Sequence, residues 1–95
     1  MNRIITRSGV ICLEIHGCSF LVADREARKI CPYIRKISET GAFVWKLLSK
    51  GNNIEEIIHY VNQEFEVPES VELIKEINYF INNLKEHNYI IEEKE

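Results

Sequence analysis

The chain is short of the residues that build several common sites. Its 95 residues hold two prolines, four glycines, three cysteines and one tryptophan. With so few prolines and glycines there is no flexible linker, and no glycine-rich loop to cradle a phosphate. The cysteines, Cys12, Cys18 and Cys31, are odd in number and form no CxxC pair. That argues against a disulfide framework or a four-ligand zinc site, and they read as reduced structural thiols. No apolar run approaches the ~18 residues that span a bilayer. The opening residues Met1 to Arg7 lack the long apolar stretch and small-residue cleavage site of a secretion signal, so the expected location is the cytoplasm.

What is present suits one globular unit over residues 1–95. The apolar fraction is 45% and the charged fraction 28%, ordinary for a domain with its own core. The net charge of −3 conceals a split. Residues 1–38 carry seven Lys/Arg against three Asp/Glu, a net of +4, whereas residues 39–95 carry five against twelve, a net of −7. Such asymmetry orients charged partners.

The hydrophobic period changes near residue 38. Before it, Val10–Ile15 and Cys18–Ala23 flank His16-Gly17, a two-residue hairpin loop ending in glycine. That loop sets Ile15 opposite Cys18, Leu13 opposite Phe20 and Ile11 opposite Val22, with all six side chains on one face. This face is expected to meet the core, and the mixed face of Val10, Cys12, Glu14, Ser19, Leu21 and Ala23 to lie away from it. Residues 24–32 are polar and basic and read as a loop with at most one helical turn. Tyr33, Ile34, Arg35, Lys36 and Ile37 form a short third strand.

After residue 38 the pattern is helical. Ser38 is a fitting N-cap for a first helix over 39–50, closed by Gly51. Asn53-Ile54-Glu55-Glu56 has the form of a capping box. A second helix then places Ile54, Ile57, Ile58, Val61 and Phe65 on one stripe. A third runs over 69–87, with Leu73, Ile77, Phe80 and Leu84 inward and Ile74, Asn78 and Ile81 to one side. Tyr89-Ile90-Ile91 fits a final short strand or a packed tail. Strands followed by helices predict an α+β fold, a three-stranded antiparallel sheet with three helices in the winged helix-turn-helix layout.

The segment Ile37-Ser38-Glu39-Thr40-Gly41-Ala42-Phe43-Val44-Trp45-Lys46-Leu47-Leu48 resembles a motif of the PqqD-like proteins, also called RiPP recognition elements. Their first helix opens with a short Ser- or Asn-Glu-Thr-Gly turn and carries a tryptophan a few residues later. Gly51 followed by Ile54-Glu55-Glu56-Ile57-Ile58, then Glu64-Phe65-Glu66-Val67 and Pro68, is also similar. So are Phe80-Ile81 with Leu84, and the hairpin of residues 10–22. The loop 24–32 has no counterpart in the pattern, and the entry to the third helix is offset by a residue.

The resemblance implies a non-enzymatic module without cofactor. It would bind the unstructured leader of a ribosomally made precursor peptide and present it to a modifying enzyme, such as a radical SAM maturase, a cyclodehydratase or a lasso-peptide protease. The leader would add as a strand on the third strand and lie between it and the third helix. The candidate peptide-binding residues are Tyr33, Ile34, Arg35, Lys36, Ile37, Ile74, Asn78 and Ile81. Arg35 and Lys36 would favour an acidic leader. The free edge also suits pairing of two copies. Two other readings share this fold: a DNA-binding regulator, disfavoured by the acidic third helix, and a subunit that only docks onto an enzyme. The histidines form no nucleophile–base pair, and the carboxylates are spread over helical faces.

Overall fold

The computed structural model describes residues 2–94. The order is β1 (Asn2–Thr6), β2 (Val10–Ile15), β3 (Cys18–Ala23), a 3-10 turn (Ala27–Lys29), β4 (Ile34–Ile37), α1 (Glu39–Ser49), α2 (Ile54–Glu64), α3 (Val71–Glu86) and β5 (Ile90–Lys94). The α+β architecture, the three-stranded sheet and the three helices agree with the sequence pattern.

The hairpin register is the expected one: Ile15 faces Cys18, Leu13 faces Phe20 and Ile11 faces Val22. His16 and Gly17 both have positive φ, 51° and 77°, as a primed turn requires, so a histidine occupies the left-handed region that glycine or asparagine usually fills. β4 closes the sheet in the order β2-β3-β4, antiparallel to β3. β1 was not expected. It pairs antiparallel with β5 in a separate ribbon, which shows the carboxy-terminal apolar residues to be a strand.

One expectation is corrected. The six-residue face of Ile11, Leu13, Ile15, Cys18, Phe20 and Val22 does not meet the core. The opposite face does: Val10, Leu21 and Ala23 are buried, joined by Ile37, with Cys12 packed against them. Ile11, Leu13 and Ile15 are 54%, 41% and 46% exposed. Alternation decides which side chains share a face, but the helices decide which face is covered.

The helices begin and end where their capping residues stand. Ser38 Oγ accepts from the Gly41 N–H at 2.9 Å, and Ser70 Oγ from the Leu73 N–H at 3.1 Å. Asn53 and Glu56 form the reciprocal capping box. Gly51 ends α1 with φ +89°. Trp45, Leu48, Ile57, Val61, Ile77, Ile81 and Leu84 fill the core beneath the sheet, together with Tyr89. Among the described residues no helix is long and apolar enough to cross a membrane.

Candidate functional site

The outer edge of β4 is unpaired within the three-stranded sheet. The Ala23 N–H donates to the Tyr33 carbonyl at 2.8 Å, which fixes the phase of the ladder. In an antiparallel pair the inward groups recur at every second residue. Tyr33, Arg35 and Ile37 therefore point their backbone groups at β3, while Ile34 and Lys36 point theirs outward. The free donors and acceptors at this edge belong to Ile34 and Lys36, a pattern an extended peptide can complete.

α3 forms the second wall. Its residues Glu76, Phe80, Asn83 and His87 are spaced 4, 3 and 4 apart, so they share one flank. Two contacts show which way this flank looks. Arg35 Nη1 lies 3.4 Å from His87 Nδ1, and a Cβ on Gly41 would come within 3.1 Å of the Phe80 ring. Arg35 of β4 thus lies beside the His87 end of this flank, and glycine at 41 lets α1 approach the Phe80 ring closely. At the Phe80 end lies a pocket of about 190 Å³, lined by Ser38, Thr40, Gly41 and Val44 with Leu73, Glu76, Ile77 and Phe80. Asn83 Oδ1 is buried with no hydrogen-bond partner among the described residues, an acceptor on the same flank.

The entry to β4 is tied to the end of α3. The Tyr89 hydroxyl donates to the Pro32 carbonyl at 3.1 Å, and Asn88 Nδ2 to the Ile30 carbonyl at 2.9 Å. Burial first, then the nearby Cys31 thiol, pushes the Tyr89 phenol above its usual range, keeping it a neutral donor. Cys31, also pushed up by burial, donates to the Ala27 carbonyl at 3.1 Å. The Arg28 guanidinium stacks 3.9 Å over the exposed Tyr33 ring.

The candidate residues divide by helical phase. Tyr33, just before β4, and Ile34 and Lys36 on it are exposed, and Arg35 is half-buried beside His87. Ile37 is buried at 7% exposure, so its side chain supports the strand from below. Ile74, Asn78 and Ile81 belong to a different stripe, continued by Lys85, whose ammonium lies 3.1 Å from Glu92 of β5. That stripe looks toward the β1–β5 ribbon rather than β4. Ile81 is 2% exposed core, and the Asn78 amide donates to its own helix at the Ile74 carbonyl. The structure therefore does not bring Ile74 and Asn78 together with the strand. It places His87 beside Arg35, and Leu73 and Phe80 around the pocket at Ser38, just past the end of β4. The signal for this flank is the 4-3-4 spacing of Glu76, Phe80, Asn83 and His87, visible in sequence but not directed without β4 in place.

The other free edge differs in charge. A cleft of about 450 Å³ beside β2 is lined by Cys12, Phe43, Trp45 and Phe65, with Glu14, Glu39 and Glu64 against a single cation, Lys46. Burial raises the Cys12 thiol above its ordinary value. Among the described residues no three His, Cys, Asp or Glu side chains gather as a metal site.

The fold matches two solved structures. TbiB1 in complex with the TbiA(beta) leader peptide is 17% identical, with a TM-score of 0.71 over 90% of this chain and 93% of that one. A lasso peptide synthetase B1 complexed with the leader peptide is 16% identical, with a TM-score of 0.73 over 94% and 98%. No curated protein matches the chain. Residues 33–90, from the entry of β4 to the start of β5, match the family described as Coenzyme PQQ synthesis protein D. The chain belongs to the PqqD family.

Proposed function

We propose that this protein captures the leader segment of a ribosomally made precursor peptide as an added strand on β4 and presents it to a separate modifying enzyme. The observation that carries this reading is the juxtaposition at β4. The outward backbone groups of Ile34 and Lys36 lie open beside the α3 flank and its pocket of about 190 Å³. Membership of the PqqD family supports it, as does a fold shared with two proteins whose structures hold leader peptides.

Backbone pairing supplies affinity that is nearly blind to sequence, each bond contributing about 0.5–1.5 kcal/mol net. Selectivity comes from alternate side chains of the added strand. Those turned toward α3 meet Phe80, Leu73 and the buried Asn83 acceptor, while Arg35 and Lys36 favour carboxylates. An unstructured leader loses conformational freedom on binding, so the dissociation constant falls on the order of 0.1–10 μM. The role is binding rather than catalysis, performed in the cytoplasm beside an enzyme of the radical SAM or leader-protease kind.

The test is a titration with the synthetic leader of a precursor peptide identified among the neighbouring genes, followed by backbone NMR. Shifts concentrated on residues 33–37 and on Phe80, Asn83 and His87, saturating at micromolar concentration, are expected. A folded protein whose β4 signals stay fixed in the presence of that leader would refute strand addition.

A further inference from the structure

The outer face of the three-stranded sheet is almost wholly apolar and uncovered. By the strand registers it consists of Ile11, Leu13 and Ile15 on β2, Cys18, Phe20 and Val22 on β3, and Ile34 and Lys36 on β4. Ile11, Ile15 and Ile34 are each close to half exposed. Lys36 is the one charged side chain on the face, and the carboxylate of Glu14 projects from the other side, into the β2 cleft. The exposed apolar surface is roughly 400 Å², the size at which patches on monomers mark interaction sites. The covered inner face is no richer in large apolar residues, so the fold leaves outside a surface whose sequence pattern calls for burial.

We infer that this face is the docking surface for the modifying enzyme, and that the enzyme meets it with an apolar centre and an acidic rim. The inference rests on the leader-binding reading for the identity of the partner, but not for the location of the surface. Charge selects the occupant. Of the cations in residues 1–38, Arg3 pairs with Glu93, Arg7 donates to the Asn88 carbonyl, Lys29 pairs with Glu26, and Arg35 turns to the inner face beside His87. Lys36 stands on the face itself, and Arg25 and Arg28 in the loop leading to β4, the Arg28 guanidinium over the Tyr33 ring. A second copy laid face to face would cover Lys36 with a surface that carries no carboxylate to meet it. It would also bury about half of the ~800 Å² per partner found in stable interfaces. A partner with carboxylates around an apolar centre meets the same surface with attraction, and can extend past its edge.

The position is also suited to hand-over. Ile34 and Lys36 belong both to this face and, through their backbone, to the open edge of β4. A leader strand added there turns every second side chain onto the outer face, so the docked enzyme touches the peptide it is to modify.

The test uses the full chain and the modifying enzyme encoded beside it, with Leu13→Glu and Ile15→Ser as probes on the strand furthest from β4. Light scattering after gel filtration gives the assembly state, and calorimetry gives the affinities. The expected result is a monomer that binds the enzyme, at least tenfold more weakly in either variant and more weakly at high salt, while leader affinity stays within twofold. Enzyme binding unchanged by both substitutions overturns the inference, as does failure to bind with leader present. A wild-type dimer that Leu13→Glu dissociates overturns it in favour of a second copy. Enzyme docking through this face with no leader capture would leave the inference standing and remove the leader reading instead.

Discussion

The two faces of one small sheet were composed by the same alternation and met opposite fates. On the inner face Leu21 is fully buried, Ala23 1% exposed and Val10 8% exposed. On the outer face Ile11, Leu13 and Ile15 remain about half in solvent. The inner face is the more polar of the two by composition, with Glu14, Ser19 and Arg35 beside its apolar residues. Those polar side chains sit toward the margins, where Glu14 and Ser19 line the β2 cleft and Arg35 reaches His87. Small and large residues at the centre, Ala23 beside Leu21, let the helices approach. The lesson is that in a two-layer fold the number of apolar residues on a face does not settle which face is buried; the fit of the facing helices does.

The contrast is sharpest for stability. Leu21→Ala should cost about 2–5 kcal/mol, the range for truncating a fully buried leucine, whereas Leu13→Ala should cost less than about 1 kcal/mol. Urea denaturation of the two variants checks this, and equal losses would show that the outer face is covered in solution.

The parity of β4 supplies a second comparison. Ile37→Pro removes an N–H that pairs with β3 and should lower stability by about 1–3 kcal/mol. Lys36→Pro removes an outward N–H, so the fold should persist by circular dichroism while leader affinity falls about tenfold. An affinity indifferent to Lys36→Pro would break the distinction between the two parities.

Asn53→Ala deletes the acceptor for the Glu56 N–H, one of the two bonds of the capping box at α2. It should cost about 1 kcal/mol in thermal or urea unfolding and leave leader binding unchanged.

The smallest effects concern the thiols and Tyr89. Burial favours the neutral forms of Cys12, Cys31 and Tyr89, raising all three above their ordinary values. In the unfolded chain the thiols ionise near pH ~8.5 and the phenol near ~10. The stabilisation is therefore complete below about pH 8.5 and declines as pH rises through the raised folded values, because the unfolded chain then holds fewer protons. Denaturation midpoints measured from pH 7 to 10.5 should fall on the alkaline side. Cys31→Ala should make that fall shallower.

Much was written in local sequence. Ser38, Asn53 and Gly51 mark helix boundaries because a cap acts on backbone groups two or three residues away. His16-Gly17 sets the hairpin register because a two-residue loop admits one pairing. The family resemblance rested on the same local features, the Thr40-Gly41 turn and Trp45. The strand of the candidate site is legible in sequence, its helical wall less so. Alternation and the cations at 35 and 36 mark the third strand, but the spacing of Ile74, Asn78 and Ile81 gives no hint that the flank touching Arg35 is the one carrying His87. Two stripes on α3 satisfy the same helical spacing, and only the placement of β4 against the helix separates them.

The sequence by itself determined the hairpin and its register, the third strand, the three helices with the caps of the first two, and the family resemblance, since each depends on contacts within a few residues. Tertiary structure alone decided which face of the sheet is buried, which flank of α3 meets β4, and that Asn2–Thr6 pairs with Ile90–Lys94 across the length of the chain. Those outcomes depend on how elements dock, and docking is set by shape and packing between side chains far apart in sequence, which periodicity does not encode.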